Sequence, residues 1–403
     1  MNLKFWPKPL LGYIIIIILI NNCHHSTINA PRLGIDLKNL ELGSFDNYIS
    51  HVDIIPLETS EESIIKRIEK VIEFDNKYFI QNSNRNILVF NSNGVFIKSI
   101  GKSGRGPGEL AYIVDFQINH YSNNIEILEA TGNLMVFDLN GEYLHNYSVP
   151  TREVSAFTII NEDLIMFSHN RSDCGISVFS RKNNKIIQKF FEFSEDFFLN
   201  HPFAVKSHFY KYNNEFFLHH SYMNKLYKYE NNTLNLFLEF NFGNHNFNAE
   251  SYRWPQDLPY DKYLNILKDG EYVFGFHNEF QTDRYIFILA YFKSDEIAII
   301  YDKKKDDLST FIHIKGLIQY DMSNVDKYIN FWSNEITTSS EQGLRLPEIL
   351  NRDSGNTYAI CSFDYTRKDI YLYPEILNIQ NLKTFEEITK SQNPVIIKYF
   401  FKN

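Results

Sequence analysis

A glycine-rich stretch from Ser99 to Leu110 holds the clearest group of residues that could bind an anion. Four glycines and one proline lie within eight residues, which predicts a tight loop and excludes a packed helix or strand. Its Gly101-Lys102-Ser103 segment matches the end of a nucleotide phosphate-binding loop. That motif also needs a glycine where Phe96 stands, and a helix after it. We therefore favour a structural loop, in which Arg105 and Glu109 lie near one face of the fold and pair with each other or with a ligand.

Polar residues also recur at comparable positions in a repeated pattern of short strands, which is described below. His277 and Asn278 follow the predicted inner strand of the fifth repeat, and Asp115 and His208 occupy comparable places in the second and fourth repeats. If the first strand of each repeat borders a central channel, the four side chains converge there and could bind a ligand. An ordinary solvated channel lining is the favoured alternative. No cofactor is predicted, although binding of a metal such as calcium in the channel is left as an alternative.

Sequence patterns typical of metal-binding or catalytic sites are otherwise weak in this chain. The adjacent histidines of His24-His25 and His219-His220 would point to opposite sides of a strand, so neither pair chelates one metal through both rings. No Ser-His-Asp order, paired-carboxylate motif or H-x-x-x-H spacing stands out. No catalytic residue is therefore predicted.

Aromatic residues near two long irregular segments offer a different kind of site. The aromatic residues are Tyr252, Trp254, Tyr260 and Trp332, and Arg253 lies among them as a charged partner. Exposed aromatic rings suit recognition of a sugar or a peptide by stacking. They suit packing of the segment onto the fold equally well, and that alternative is favoured. Trp254 is kept as a candidate ligand-binding residue.

Composition limits the classes of function. The 403-residue chain carries a formal net charge of −9 and has no basic stripe, which excludes nucleic acid as a partner. Its 35 Phe and 26 Tyr favour strands. Cys174 and Cys361 lie in separate strand-like segments without CxxC spacing, so neither a zinc site nor a disulfide framework is expected.

The N-terminus resembles a lipoprotein export signal. Lys4 and Lys8 precede an apolar run from Leu10 to Ile20, which is too short to span a membrane as a helix. The following Leu19-Ile20-Asn21-Asn22-Cys23 resembles a bacterial lipobox, with Asn22 where a small residue is usual. Residues 1–23 are therefore predicted to be a signal peptide with lipid attached at Cys23, and residues 24–47 a tether. A periplasm-facing anchor is preferred over the cell surface; an ordinary signal peptide is the alternative.

From about residue 68 the chain repeats a unit of four short strands. The turns before the last strand of the first four units, at Gly94, Gly141, Asn184 and Asn232, lie 47, 43 and 48 residues apart. A period in the forties with four strands is typical of a β-propeller, whereas no helical periodicity recurs. A β-sandwich would not repeat as such quartets. The fold class is therefore all-β, a six-bladed propeller of four-stranded antiparallel blades over residues 48–403.

The ends of the chain should close this ring, because open strand edges are hazardous. The strand from Tyr48 to Leu57 is predicted to complete the last blade beside C-terminal strands, of which the last runs from Pro394 to Phe401. The fifth and sixth units are longer than the others, with insertions near residues 243–268 and 333–357.

Two motifs carry a family likeness. The segment from Ile100 to Glu109 resembles the G-x-x-G-x-GPGE signature of Bacteroidetes-type six-bladed β-propeller lipoproteins, which are related to NHL-repeat propellers. The segment Gln392-Asn393-Pro394-Val395 resembles the closing strand of that family. The resemblance covers about residues 48–403 and the lipobox. It implies a propeller exported to the cell envelope, and it implies no known reaction.

These observations favour a lipid-anchored, monomeric propeller that acts as a non-catalytic binding or scaffold module for an envelope protein or a glycan. The alternative is a metal-dependent lyase or hydrolase with its site at the central channel. Three or more His, Asp or Glu side chains clustered at the channel mouth would favour the enzyme.

Overall fold

The four-strand units predicted from the sequence form the blades of a six-bladed β-propeller in the computed structural model. The structure describes residues 30–44, 47–83, 86–104, 106–149, 153–169, 174–192, 207–220, 223–247, 269–293, 295–315, 318–320, 350–351, 358–363, 370–372 and 393–403. The predicted insertions near 243–268 and 333–357 fall largely outside these ranges, as does the whole predicted signal peptide.

Three strands precede the first blade. They are β1 (Arg32–Gly34), β2 (Glu41–Ser44) and β3 (Ile49–Pro56). Strands β1 and β2 lie inside the segment predicted to be a tether, and each pairs in parallel with the outermost strand of a blade. Leu33, Leu37 and Leu40 pack against the core of those blades. This part of the predicted tether is therefore attached to the propeller.

The first three blades are four-stranded antiparallel sheets in chain order. Blade 1 consists of β4 (Ile68–Phe74), β5 (Lys77–Asn82), β6 (Asn86–Asn91) and β7 (Phe96–Ile100). Two short strands follow it, β8 (Lys102–Ser103) and β9 (Glu109–Leu110). Blade 2 consists of β10 (Ile113–Asn119), β11 (Asn124–Glu129), β12 (Asn133–Asp138) and β13 (Tyr143–Ser148). Blade 3 consists of β14 (Val154–Ile159), β15 (Leu164–His169), β16 (Cys174–Ser180) and β17 (Lys185–Glu192).

The next two blades each gain a fifth strand from the N-terminal segment. Blade 4 consists of β18 (Ser207–Tyr212), β19 (Glu215–His220), β20 (Lys225–Glu230) and β21 (Thr233–Asn241), with β1 added beside β21. A short 3-10 helix, Gly243–His245, follows. Blade 5 consists of β22 (Val273–Gln281), β23 (Tyr285–Phe292), β24 (Asp295–Asp302) and β25 (Asp307–Lys315), with β2 added beside β25.

The sixth blade joins the two ends of the chain. Its described strands are β27 (Ala359–Phe363), β29 (Val395–Phe401) and β3, in that spatial order. A separate pair is formed by β26 (Ile318–Tyr320) and β28 (Ile370–Leu372). Strand β3 pairs antiparallel with β29, from Pro56 opposite Val395 to Ile49 opposite Phe401. The predicted closure of the ring by the N-terminal strand is confirmed.

Burial along the strands explains the sequence pattern. Strands in the middle of a blade are packed on both sides by neighbouring blades, so β15 and β16 are buried along their whole length. The outermost strand β17 instead alternates between exposed and half-buried residues, because only one of its faces meets the core. The continuous apolar runs therefore mark the middle strands, and the alternating runs mark the outer edge.

The predicted turn residues have the backbone conformation that tight hairpins require. Gly94, Gly141, Asn184 and Asn232 have φ values of 78°, 89°, 47° and 59°. Only glycine and, less readily, asparagine adopt positive φ at low energetic cost. Each turn joins the third and fourth strands of its blade, as predicted. No helix in the part of the chain that the structure describes is long and apolar enough to cross a membrane.

Candidate functional site

The glycine-rich loop connects the outer strand of blade 1 with the inner strand of blade 2. Within it, β8 and β9 pair in parallel, with Lys102 opposite Glu109. Gly101 has a φ of 77°, and a Cβ atom there would lie 2.1 Å from Cδ1 of Leu110. A Cβ atom at Gly104 would lie 1.9 Å from Oε2 of Glu109. The close folding of the loop on itself therefore requires its glycines.

Glu109 stabilises this loop through hydrogen bonds to its backbone. Its Oε2 accepts a hydrogen bond from the amide N–H of Gly106 at 2.8 Å. The N–H of Gly104 donates to the carbonyl oxygen of Leu110, which is completely buried. Arg105, the predicted partner of Glu109, lies outside the described residues. The geometry around Glu109 agrees with the structural role favoured for the loop.

Beside this loop lies an open cavity of about 700 Å³, which we call the loop-face pocket. Four segments line it: the loop, the connection between β5 and β6, a residue shortly before β4 and the two residues before β10. The lining residues are Lys66, Asn82, Ser83, Asn86, Ser99, Gly101, Lys102, Ser103, Ala111 and Tyr112. These segments emerge on the same face of the ring, because every second connection along a blade returns to that face.

Most residues that line the loop-face pocket have polar side chains, and two of them are lysines. Lys66 and Lys102 are both exposed, and none of the described lining residues carries a carboxylate. Asn86 donates a hydrogen bond from Nδ2 to Oγ of Ser99 at 3.0 Å. Tyr112 also lines the pocket, and half of its surface is exposed (50%). The pocket thus combines positive charge, hydrogen-bonding groups and one aromatic ring.

The predicted channel residue Asp115 joins three blades. It lies inside β10, and its Oδ1 accepts a hydrogen bond from Nζ of Lys70 in blade 1 at 2.8 Å. Its Oδ2 accepts one from the backbone N–H of Phe157 in blade 3, also at 2.8 Å. Both members of the ion pair are largely buried. Asp115 therefore connects the inner strands of blades 1, 2 and 3.

His277 lies within the inner strand of blade 5, not after it as predicted. The pairing of β22 with β23 is irregular on both sides of His277, and Asn278 has a φ of 58°. Nδ1 of His277 lies 2.7 Å from the carbonyl oxygen of Gly275, and Nε2 lies 3.2 Å from Oε2 of Glu296. Although burial lowers it, the pKa of His277 is raised overall by the hydrogen bond and charge of Glu296. The protonated ring, which donates to both oxygens, is favoured.

A second histidine–carboxylate pair joins β19 of blade 4 to this same strand, β22. Nδ1 of His219 in β19 lies 2.9 Å from Oε1 of Glu279 in β22, and Nε2 lies 2.7 Å from the carbonyl oxygen of Met223. Both side chains are buried. The pair His219-His220 was not expected to chelate one metal, and the contact of His219 with Glu279, 60 residues away, was not predicted.

Other predicted site residues are only partly described. His208 pairs with His219 through the backbone of β18, and nothing further is described of its side chain. Cys23 and Trp254 lie outside the described residues. The hydrogen bonds described for Asp115 go to Lys70 and Phe157, whereas those of His277 go to Gly275 and Glu296. These contacts do not bring the two side chains together. Over the described ranges, no group of three or more His, Cys, Asp or Glu side chains is placed to hold a metal ion.

A smaller cavity of about 420 Å³ opens on the opposite face, where the first and second strands of each blade are joined. Its lining is more mixed: it includes Ile72, His120, Tyr121, Lys211 and Phe216. Burial, together with the charge of Lys211, lowers the pKa of His120. This cavity serves below as the reference for the loop-face pocket.

Sequence reasoning identified the glycine-rich loop but missed the rest of the pocket. Lys66, Asn82, Asn86 and Tyr112 come from three other segments of blades 1 and 2. A signal was present, since the connection between the second and third strands of a blade must emerge on the face where the blade-to-blade loop lies. The polar run from Gln81 to Asn86 could therefore have been placed beside the loop.

The model of a family described as a domain of unknown function, DUF4934, matches residues 33–400. The chain belongs to this family. The match spans the described strands from Leu33 of β1 to Phe400 of β29. None of the curated proteins compared with the sequence matches it.

Two solved structures are similar to this chain to different degrees. A protein from Bacteroides fragilis NCTC 9343, described as exported, is similar with a TM-score of 0.64 and 16% identity over 92% of this chain and 100% of that one. A DUF4221 family member from Bacteroides vulgatus has a TM-score of 0.45 and 11% identity over 88% of this chain and 97% of that one. At such identities the first likeness establishes a shared fold alone.

Proposed function

We propose that this protein is an extracytoplasmic, non-catalytic binding module that recognises a ligand at the loop-face pocket. The observation that carries the proposal is the pocket itself: a 700 Å³ cavity whose polar lining is held in place by a loop that glycine conformations and Glu109 stabilise. A rigid scaffold that presents loops on one face is a common arrangement for recognition. The ligand classes considered are glycans and envelope proteins.

Location outside the cytoplasm is supported by the N-terminal sequence. The basic start, the short apolar run and Cys23 fit an exported lipoprotein, and the structurally similar Bacteroides fragilis protein is described as exported. We expect the protein to fractionate with membranes and Cys23→Ser to abolish both this association and incorporation of labelled fatty acid. Wild-type protein without lipid in the membrane fraction would contradict the anchor.

Binding at the pocket is tested by filling it. A panel of neutral glycans, acidic glycans and peptides is screened against the wild type and against Ala111→Trp, which places a large ring among the lining residues. Ser122→Trp, at an exposed turn on the opposite face, is the matched control. We expect Ala111→Trp to abolish binding of the panel's tightest ligand and Ser122→Trp to retain it. Binding that both variants retain would place the site elsewhere.

The enzymatic alternative predicts a different result. Metal analysis of the purified protein, with thermal melts in the presence and absence of EDTA, separates the two functions. The binding module predicts equal melting temperatures in both conditions. A stoichiometric metal together with a lower melting temperature in EDTA would favour a metal-dependent lyase or hydrolase.

A further inference from the structure

We infer that the ligand of the loop-face pocket is an acidic saccharide, a sugar chain that carries carboxylate or sulfate groups. This inference rests on the binding function proposed above. It goes beyond that function by specifying both the charge and the chemical class of the ligand.

The charge follows from the lining residues. Lys66 and Lys102 are exposed at the pocket, and neither forms an ion pair with a described carboxylate. Other exposed lysines do form such pairs, as Lys293 does with Glu271 at 3.0 Å. The whole chain has a net charge of −9, so a cationic pocket without a carboxylate in its described lining is a local exception. An anionic ligand is favoured at this place and disfavoured over most of the remaining surface.

The neutral lining residues indicate a sugar. Asn86 already donates to Ser99, which leaves the amide oxygen of Asn86 and the hydroxyl hydrogen of Ser99 as acceptor and donor for a ligand. Ser83 and Ser103 add two hydroxyl groups. The exposed ring of Tyr112 gives a flat surface on which the C–H face of a sugar ring can stack. Sugar hydroxyl groups need this mixture of donors, acceptors and one aromatic platform.

An acidic peptide fits the same lining less well. Tight peptide binding depends on apolar side chains that fill pockets at the centre of the interface. Apart from Tyr112, the largest apolar side chain in the described lining is the methyl group of Ala111. Such a surface can hold carboxylates and hydroxyl groups but offers no hydrophobic anchor site. We therefore argue for the saccharide and treat the peptide as an outcome of the test.

The test is isothermal titration calorimetry of the exported chain at low ionic strength. The probes are trigalacturonic acid, its methyl ester, a sulfated neutral trisaccharide and tetraglutamate. Lys66→Gln and Lys102→Gln should each weaken binding of trigalacturonic acid ~10-fold, since one charge-assisted hydrogen bond is lost. Lys185→Gln, an exposed lysine at the start of β17 near the opposite face, is the control and should change nothing. Tyr112→Ala should weaken the binding of trigalacturonic acid and of its methyl ester by equal factors.

The results of these titrations distinguish failure of the acidic-saccharide inference from failure of the proposed binding function. A preference for the sulfated trisaccharide or for the galacturonate identifies which acidic group is bound, and either supports the inference. Equal affinity for acid and ester, tighter binding of tetraglutamate, or no binding of either acidic saccharide would overturn it. The proposed binding function would remain supported if Ala111→Trp abolished the binding of a different panel ligand. It would be contradicted if Ala111→Trp abolished the binding of none of the panel ligands.

Discussion

At the scale of single residues, the polar side chains of the inner strands have two kinds of role. Asp115 connects three blades through Lys70 and the backbone of Phe157, whereas His277 bonds within its own blade to Glu296 and Gly275. Both were predicted as channel residues because a sequence shows that a polar side chain occurs in a strand. It does not show which neighbouring strand supplies the partner.

Removal of the buried side chain of Lys70 should strongly destabilise the fold. Lys70→Ala leaves the carboxylate of Asp115 in a buried position without its ion-pair partner, so we expect the free energy of unfolding to fall by about 3 to 5 kcal/mol. Lys77→Ala removes a lysine from the exposed pair with Asp75 and should cost less than ~1 kcal/mol. Urea denaturation measures both values, and equal losses would contradict the structural role of Asp115.

His277 should make stability depend on pH. Burial lowers its pKa in the folded protein, but the hydrogen bond and charge of Glu296, the carbonyl of Gly275 and the charge of Glu279 together raise it above the ordinary value of 6.5. The stabilisation is therefore fully present below pH 6.5 and is lost as the pH rises through the folded-state pKa. We expect His277→Gln to lower the free energy of unfolding more at pH 5.5 than at pH 8.5. A larger loss at pH 8.5 would show that the ring is neutral in the fold.

At the scale of elements, the glycine-rich loop depends on backbone conformation. Gly101→Ala forces a side chain into a left-handed conformation and against Leu110, so we expect a loss of at least about 1 kcal/mol in unfolding free energy. Gly34→Ala is the control, because a Cβ atom there meets nothing within 4 Å, and it should change stability by less than ~0.5 kcal/mol. If the two variants unfold at the same urea concentration, the loop is not held as described.

The strands and turns were largely predictable because their signals are local. The apolar runs, their spacing and the turn residues Gly94 and Gly141 mark a blade without reference to the rest of the chain. Strands β1 and β2 were missed because each is short and pairs with a strand about 200 or more residues away. The irregular pairing of β22 breaks the two-residue alternation, which is why His277 was placed after the strand instead of inside it.

At the scale of the whole molecule, closure of the ring depends on the ends of the chain. The Asn393-Pro394-Val395 motif contributes through Asn393, which is buried. Its Oδ1 accepts from the N–H of Ile65 at 2.8 Å, and its Nδ2 donates to the carbonyl oxygens of Glu58 and Ser63. One side chain thus joins the start of the last strand to the segment between β3 and β4. This contact gives a physical reason for the asparagine in the motif.

Asn393→Ala should weaken ring closure. It leaves buried backbone groups without these hydrogen bonds, so we expect the free energy of unfolding to fall by about 3 kcal/mol. Asn140→Ala, in an exposed turn, should cost less than ~1 kcal/mol. Hydrogen exchange of the β3–β29 pair should also become faster in Asn393→Ala alone. Unchanged exchange there would show that the ring closes independently of this contact.

The proposed function places ligand binding on the face of the propeller that carries the glycine-rich loop. The most direct measurement is a crystal structure of the protein soaked with the tightest ligand of the binding panel. We expect electron density for that ligand in the loop-face pocket, in contact with Tyr112 and with Lys66 or Lys102. Density in the cavity beside His120 on the opposite face, or in the channel near His277, would contradict it.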